Sequence, residues 1–335
     1  MHSRIQLIEN IKPSLKKLAN PCRLCIHKCS VDRAKGEAGF CRATAKPAVY
    51  SYSPHYGEEP PLSMPTGRPA CPVGRQPGPG GGSGTIFFTH CNMKCIYCQN
   101  YAFSQETDFE EIETEELAQR MLELQRQGCY NINLVSPTHY AYQIVESLQI
   151  AIKKSLNIPI VYNTGGYDNI ELIKLLDGIV DIYLPDMRYC RDAMALKYSS
   201  AKDYTANNRL IIKEMFRQVG ILKLNREGVA KKGMIVRLLI LPNNISGIIE
   251  TLKFLKEEVS KDIYLSVMSQ YHPTYKAEEY PEMARRINKK EYKEVIDEVE
   301  KLGFTNGWIQ GFITEPGHFL GTNIKPKSLD KRRAF

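Results

Sequence analysis

Short apolar segments alternate with helical patterns through the larger part of this 335-residue chain, from Thr85 to about residue 313. Continuous apolar strands separated by amphipathic helices predict a parallel sheet covered by helices. We expect an α/β fold, specifically a partial (β/α)6 TIM-like barrel, with a flat doubly wound sheet as the alternative. No GxGxxG follows a predicted strand, so nothing favours a dinucleotide-binding fold. The predicted strands are 85–89, 132–135, 158–162, 179–184, 234–241, 263–268 and 307–312.

Helices are predicted between these strands from apolar residues at spacings of three and four. The first begins with Thr114 as its N-cap and ends at Gly128, and the last ends at Gly303. The others are centred on 141–152, 169–176, 211–216 and 248–255. In a barrel of this kind the chemistry lies where strands end at their carboxyl edge.

The chain divides into four segments. Residues 1–64 form a Cys-rich N-terminal extension, and residues 65–84 contain five prolines and seven glycines, which predicts a loop. Residues 85–313 are the predicted barrel, and 314–335 form a C-terminal tail.

Charge and hydropathy exclude several classes of protein. Lys and Arg total 45 against 37 Asp and Glu, and the excess of +8 is spread along the chain rather than concentrated, so we expect no nucleic-acid partner. No apolar run approaches the roughly 20 residues of a membrane helix, and the N-terminal 20 residues lack a signal-peptide core. We therefore expect a cytoplasmic protein whose ten cysteines stay reduced.

Cysteine spacing carries the strongest functional signal. Cys91, Cys95 and Cys98 follow the first barrel strand directly. Three thiolates on one loop can hold a [4Fe-4S] cluster and leave one iron open to a chelating ligand. The alternative is a zinc site completed by His90 or by a distant residue.

The residues around these cysteines resemble the cluster loop of radical S-adenosylmethionine (SAM) proteins. GSGTIFFTHCNMKCIYCQN at 82–100 fits CxxxCxΦC, with Tyr97 as the aromatic residue Φ. More narrowly, the chain resembles proteins described as similar to pyruvate formate-lyase-activating enzyme. That resemblance extends over HYGEEP at 55–60, SPTHY at 136–140, NTGGYD at 163–168, YLPDMRY at 183–189 and MSQYHPTYKAEEYPE at 268–282.

The resemblance implies a radical SAM enzyme that cleaves SAM reductively to a 5′-deoxyadenosyl radical and abstracts a hydrogen atom from its substrate. It implies a [4Fe-4S] cluster, SAM, and a reductant such as ferredoxin or flavodoxin. The narrower likeness suggests an activase of a glycyl-radical enzyme. The alternatives are a radical SAM enzyme acting on a small molecule or RNA, and a non-enzymatic metal-binding scaffold.

Four further strand-end positions are candidates for SAM binding. Asp186 and Arg188 match an Asp-x-Lys pattern of glycyl-radical activases, with Arg in place of Lys, and a structural ion pair is the alternative. Arg237, inside an apolar strand, needs an anionic partner, either the SAM carboxylate or an Asp or Glu side chain. His272 could approach the adenosyl group or be an ordinary loop residue.

The family's Gly-Gly-Glu segment, which receives the SAM amine, is replaced here by Val-Ser-Pro-Thr at 135–138. Asn163 or backbone carbonyls could take over this contact. His139 nearby is expected to be a structural residue of the following helix.

The first cysteine group is a candidate second metal site. Four thiolates can close a structural zinc site or hold a second iron–sulfur cluster, and the spacing does not choose between them. Unligated cysteines are the remaining alternative. The group consists of Cys22, Cys25, Cys29 and Cys41.

Overall fold

The computed structural model describes residues 2–64, 81–105, 109–312 and 321–323. The predicted 65–84 loop therefore lies outside the described residues up to residue 80, as does most of the predicted tail. The helices are α1 (His2–Ala19), α2 (Pro60–Ser63), α3 (Tyr101–Ser104), α4 (Thr114–Arg126), α5 (Ala141–Lys153), α6 (Ile170–Leu175), α7 (Asp192–Ser199), α8 (Tyr204–Val219), α9 (Ile248–Glu258) and α10 (Lys289–Leu302). The strands are β1 (Val49–His55), β2 (Ser83–Phe88), β3 (Ile132–Val135), β4 (Ile160–Thr164), β5 (Ile182–Pro185), β6 (Lys223–Leu224), β7 (Ala230–Leu239), β8 (Tyr264–Met268), β9 (Gly307–Gln310) and β10 (Gly321–Asn323).

The strands form one sheet in the order β1-β2-β3-β4-β5-β7-β8-β9-β10, with β6 paired to β7. All pairings from β2 to β9 along this path are parallel, while β1 and β10 flank the parallel strands as antiparallel neighbours. At least one helix connects each parallel strand from β2 to β8 to the next parallel strand. This topology confirms the predicted partial (β/α)6 barrel.

Element boundaries differ from the predictions by a few residues. The strand predicted at 132–135 is observed as β3, whereas the strand predicted at 179–184 begins only at Ile182. The predicted N-cap is wrong: Glu113 is the N-cap of α4, and the Thr114 hydroxyl donates instead to the Glu115 carboxylate over 3.2 Å. Gly303 ends α10 in the left-handed conformation, as predicted, with φ of 79°.

The N-terminal segment is continuous with the barrel in space. Strand β1 pairs with β2 from Val49 to His55. Helix α1 packs on α5 and buries Ile8 and Leu15 in the same core as the barrel helices. No helix of the described residues is long and apolar enough to cross a membrane.

A short apolar plug closes the lower, amino-terminal end of the barrel interior. Leu62 of α2 is fully buried and belongs to a small apolar cluster with Val161, Ile182 and Ile235, from β4, β5 and β7. Above this plug, the inward-facing residues become polar. The described interior therefore has an apolar floor beneath a charged middle.

Strands β5 and β7 are joined by a short backbone ladder. Ile182 and Tyr183 pair with Gly233 and Met234, and β5 ends at Pro185, which has no backbone N–H to donate. Directly above it, Asp186 forms an isolated bridge with Arg237. Their side chains are also joined, as described below.

Candidate active site

A buried histidine anchors the segment that leads into the cysteine loop. After β2 ends, the Thr89 carbonyl accepts a hydrogen bond from His139 Nε2 over 2.8 Å. Burial lowers the pKa of His139 to about 3, so its ring is neutral. The His139 carbonyl in turn accepts from the buried Arg33 guanidinium over 2.5 Å. These contacts agree with the structural role expected for His139.

The three cysteines of the loop share one environment. Cys95 is buried and Cys91 and Cys98 are half-buried. Burial raises the pKa of the Cys91 thiol to about 12 and also raises that of Cys98, and the charge of Cys95 adds to both effects. Thiols in such a place become thiolates when a positively charged metal centre binds them. The donor set and its mutual proximity fit the three-thiolate ligation of an iron–sulfur cluster.

A chain of buried hydroxyl groups leads to the central cysteine. The Tyr97 and Tyr189 hydroxyls are 2.7 Å apart, and the Tyr189 and Ser199 hydroxyls are 2.6 Å apart. Ser199 Oγ then donates to Cys95 Sγ over 3.0 Å. Tyr97 is thus held by its hydroxyl inside the protein, and its ring meets Tyr271 edge-on at 5.9 Å. The sequence analysis did not identify Tyr189 or Ser199, although Tyr189 lies in the YLPDMRY segment.

Asp186 lies between two arginines. Its Oδ1 accepts from Arg237 Nε over 2.7 Å and its Oδ2 accepts from an Arg188 terminal nitrogen over 2.5 Å. A terminal nitrogen of Arg237 donates to Asn163 Oδ1 over 2.6 Å. Arg237 therefore has the side-chain carboxylate that was one of its two predicted partners. The structure brings Asn163, Asp186, Arg188 and Arg237 into one network across β4, β5 and β7.

Arg188 extends from this network toward the cysteines. Its positive charge lowers the pKa of Cys91 and Cys98, which places the guanidinium near both thiols. Its Nε is buried and finds no hydrogen-bond partner in the described part of the chain. Gly166 packs closely against the backbone of Asp186. Its φ is +76°, and a Cβ at this position would be 2.3 Å from the Asp186 carbonyl oxygen. A free buried donor beside the cysteine loop is suited to an anionic group of a ligand.

Among the described residues, the His272 side chain has no hydrogen bond to this network. The ring is half-buried, and Nδ1 lies 3.3 Å from the Gln270 carbonyl oxygen of its own turn.

Two glutamates that the sequence analysis quoted only as part of a motif enter the barrel interior. Glu58 and Glu59 precede α2, whose Leu62 forms the apolar floor. Glu58 shares a hydrogen bond with Glu59 and accepts one from the side chain of Asn133 on β3. Burial, followed by the charge of Glu59, raises the pKa of the Glu58 carboxyl to about 8, while Arg237 opposes the rise. In the sequence, these two glutamates could be noticed only as part of the HYGEEP motif.

The first cysteine group folds around a buried arginine. Cys22 and Cys41 are 4% and 5% exposed, and Arg33 donates to Cys22 Sγ over 3.0 Å. The Cys25 thiol interacts electrostatically with Cys22, Cys29 and Cys41, so the four thiols share one neighbourhood. Burial raises the pKa of the Cys41 thiol, and the charge of Arg33 opposes that rise toward the ionised form, which is the form that ligates metals.

This group is packed directly against the cluster loop. His27 lies 3.0 Å from the Asn92 carbonyl oxygen through Nε2 and stacks on Phe40 with ring centroids 3.7 Å apart. Lys94 of the cluster loop lies over the same Phe40 ring at 5.7 Å. The two cysteine groups thus lie on either side of a shared packing contact.

Neither cysteine group is arranged for a single metal ion. Over residues 2–64, 81–105 and 109–312, no three His, Cys, Asp or Glu side chains converge in a manner that could hold one ion.

Comparison with known proteins agrees with this geometry. The model of the family "Radical SAM superfamily" matches residues 85–255. The uncharacterized protein MJ0674 of Methanocaldococcus jannaschii is 30% identical over 313 residues, covering 88% of this chain and 81% of that protein. A second uncharacterized protein of the same organism, MJ0808, is 26% identical over 290 residues, covering 79% of this chain and 77% of that protein.

Among solved structures, SuiB of Streptococcus suis bound to S-adenosylmethionine aligns with a TM-score of 0.47 at 12% identity, covering 67% of this chain. The alignment spans about half of the SuiB chain, 48%. Methylornithine synthase (PylB) aligns with a TM-score of 0.45 at 17% identity, covering 75% of this chain and 77% of that one.

The family match, on a partial barrel whose first strand leads into three clustered cysteines, defines the class: the chain belongs to the radical SAM superfamily. Membership implies a [4Fe-4S] cluster and SAM as cofactors. The two relatives from Methanocaldococcus jannaschii are uncharacterized, so they indicate no substrate.

Proposed function

We propose that this chain binds SAM beside Cys91, Cys95 and Cys98 and abstracts a hydrogen atom from a substrate held in the barrel. When bound, the cluster supplies one electron that cleaves SAM to methionine and a 5′-deoxyadenosyl radical. The observation that carries the proposal is the cysteine loop set above a polar barrel interior that contains the free Arg188 Nε. A one-electron reductant such as ferredoxin or flavodoxin is part of the proposal.

The chain's own residues divide into holding and positioning roles. The three cysteines hold the cluster, and Arg188 is the proposed donor to the SAM carboxylate. Asp186, Arg237 and Asn163 hold Arg188 and the neighbouring strand ends in place through the contacts given above. These four residues are all joined before any ligand binds, which suits a site that must fix its ligand's geometry.

Aromatic side chains would keep this site dry. Tyr97, Tyr189, Tyr204 and Tyr271 are each at most 4% exposed and belong to one buried cluster with Cys95. Excluding water protects a reactive radical from side reactions. We also propose that His272 contacts the adenosyl group of SAM, because it lies just beyond the end of β8.

For the substrate, we propose first the glycine of a partner glycyl-radical enzyme. The support is the sequence resemblance to activating enzymes, including Asp186 and Arg188 in the place of an Asp-x-Lys pattern. The test is a glycyl-radical EPR doublet after the reduced, SAM-loaded protein is incubated with candidate partners. A doublet with one partner supports the activase; its absence with every candidate overturns it.

A second candidate is a small polar molecule bound inside the barrel. The observation that favours it is the charged middle of the interior, where Glu58 and Glu59 lie above the Leu62 floor. Substrate-dependent deoxyadenosine formation with a protein-free small-molecule extract would support this candidate. An extract that leaves deoxyadenosine formation unchanged would count against it.

The central proposal is tested without knowledge of the substrate. The anaerobically reconstituted protein, reduced with dithionite, should release deoxyadenosine from SAM. The variant with Cys91→Ala, Cys95→Ala and Cys98→Ala should release none. Cys129→Ala is the matched control, since Cys129 is a buried cysteine outside both groups and should leave release unchanged. Release by the triple variant would refute the proposal.

We also propose that Cys22, Cys25, Cys29 and Cys41 form a second metal site. The buried Arg33 supports it, because a guanidinium offsets the negative charge of a tetrathiolate centre. Either zinc or a second iron–sulfur cluster would serve as the bound group. The reducing, cytoplasmic location expected from the cysteines stays a prediction.

A further inference from the structure

The middle of the barrel interior holds more hydrogen-bond acceptors than donors. Glu59 is 8% exposed, and its Oε2 finds no hydrogen-bond partner in the described part of the chain. Asn133 is fully buried and its Oδ1 is likewise without a partner among those residues. The two are linked through Glu58, which hydrogen bonds with both side chains. Buried acceptors of this kind normally have a donor, so their state here points to a ligand.

The nearest cation does not neutralise the two carboxyls. Arg237 interacts electrostatically with Glu58 and Glu59, but its Nε and one terminal nitrogen are engaged by Asp186 and Asn163 at 2.7 and 2.6 Å. Arg188, the other cation of the interior, is paired with Asp186. The Glu58–Glu59 pair therefore keeps a carboxylate oxygen, Glu59 Oε2, that neither arginine engages.

The Glu58–Glu59 pair lies deeper in the barrel than the proposed position of the SAM amine. Glu58 is bonded to Asn133, the second residue of β3, two residues before the strand ends at Val135. At about 3.3 Å per residue, that depth is roughly 7 Å below the carboxyl edge of the sheet, where the cysteine loop begins. In the proposed function, SAM would bind beside Cys91, Cys95 and Cys98 and would keep its amine at that edge. The group that meets Glu58 and Glu59 must come from another molecule.

We propose that Glu58 and Glu59, with Asn133, bind a cationic nitrogen group of the substrate, an ammonium or a guanidinium. This inference rests on the proposed function, which makes the barrel interior the substrate site, and it adds the substrate's chemical class. An ammonium offers three donors and a positive charge to acceptors that lack both. A divalent metal ion is a poor match, because the described residues provide no third carboxylate, His or Cys to complete its coordination.

The ionisation of Glu58 is consistent with such a ligand. With its pKa raised to about 8 by burial and by Glu59, Glu58 is mostly protonated at neutral pH in the free protein. A cation between the carboxyls would stabilise both charges and cause Glu58 to lose its proton. The groups facing Glu58 are Glu59, Arg237 and Asn133, and Glu59 also interacts with His55 and Tyr264.

The test uses n-butylammonium chloride as the probe, with butan-1-ol and sodium butyrate as neutral and anionic controls of similar size. We expect the amine to raise the melting temperature of the reconstituted full-length protein by about 2 °C at ten times its Kd. Butanol and butyrate should give no rise. Glu58→Gln and Glu59→Gln should lose the response, and Glu257→Gln, which changes an exposed glutamate on α9, should keep it. An equal rise with butanol, or an undiminished rise in both Gln variants, would overturn the proposal.

Uncoupled deoxyadenosine release separates this inference from the function on which it rests. The amine response requires no turnover, so it can be present even if the wild-type protein releases no deoxyadenosine, which would refute the proposed function alone. Conversely, Glu58→Gln and Glu59→Gln should keep the affinity of the wild-type protein for SAM, and the control Glu257→Gln should release deoxyadenosine at the wild-type rate without substrate. If both variants lost SAM binding, the pair would belong to the SAM site, and the substrate assignment would be wrong.

Discussion

Ser199 Oγ donates a hydrogen bond to Cys95 Sγ over 3.0 Å, although the two residues are separated by 104 positions in the sequence. Ser199 is the last residue of α7 and is fully buried, so solvent does not compete for this bond. Ser199 is in turn fixed by the Tyr189 hydroxyl at 2.6 Å. Cys95, the central proposed ligand of the cluster, thus accepts a hydrogen bond from a serine that Tyr189 holds in place.

Removing this donor should lower the reduction potential of the cluster. A hydrogen bond to a thiolate stabilises the more negatively charged reduced state, and one of about 1 kcal/mol corresponds to roughly 40 mV for a one-electron couple. Ser199→Ala should therefore shift the midpoint potential downward by about that amount, measured by EPR-monitored redox titration. Tyr189→Phe, which leaves Ser199 in place, should give a smaller shift. A Ser199→Ala protein with an unchanged midpoint would show that the bond does not act on the cluster.

Asp186→Asn should destabilise the protein strongly. The substitution removes the charge that holds two part-buried arginines. Breaking a buried pair on one side costs about 3–5 kcal/mol, and we expect the lower part of that range here. Urea unfolding of the cluster-free protein should show this loss as a lower midpoint. The double variant Asp186→Leu with Arg237→Met should recover part of the lost stability, because neither residue of the Asp186–Arg237 pair would then be charged. A stable Asp186→Asn variant with weakened SAM binding would instead favour a direct role of Asp186 in the ligand site.

The raised pKa of Glu58 predicts a stability that falls as the pH rises. A carboxyl with a folded-state pKa near 8 and an ordinary value of 4.5 binds more protons in the folded state between those two values. The free energy of unfolding should therefore decrease from about pH 4.5 to pH 8 on account of this group. Glu58→Gln should flatten that part of the profile, measured by urea unfolding at a series of pH values. Parallel profiles for the variant and the wild-type protein would contradict the assigned pKa.

Cys22→Ala with Cys25→Ala should loosen the N-terminal cysteine segment. If these thiols bind metal, that metal stabilises a short segment with few other means of holding its fold. We expect faster proteolytic cleavage within residues 20–45 than in the wild-type protein. The cluster-loop triple Cys→Ala variant isolates this site for metal analysis: zinc would indicate a structural ion, iron with sulfide a second cluster. Absence of both would reject the second site.

Local sequence patterns were sufficient for the parallel strands and for the cysteine loop. Each parallel strand from β2 to β9 contains a short apolar run, and Cys91, Cys95 and Cys98 lie within eight positions of one another. Helix α1 and strand β1 were not predicted, because polar residues interrupt their apolar patterns and their burial depends on α5 and β2.

The inner network could not be read from spacing alone. Arg237 and Asp186 are 51 positions apart, and only the barrel topology places them side by side. The position of Arg237 in an apolar strand correctly predicted an anionic partner. It did not indicate whether that partner is a ligand or a side chain. Glu58 and Glu59 were visible only as a motif, because their place in the interior depends on the seating of α2 beneath the strands.

Pro185 makes one strand junction of the barrel depend on an ion pair. The β5–β7 ladder contains only two residue pairs below this proline, and above it Asp186 and Arg237 join the strands through both backbone and side chains. Salt screens a buried pair weakly, whereas protonation of its carboxylate removes the attraction altogether. The junction between β5 and β7 therefore includes one contact, the Asp186–Arg237 pair at the edge of the proposed site, whose strength depends on the charge of a single carboxylate.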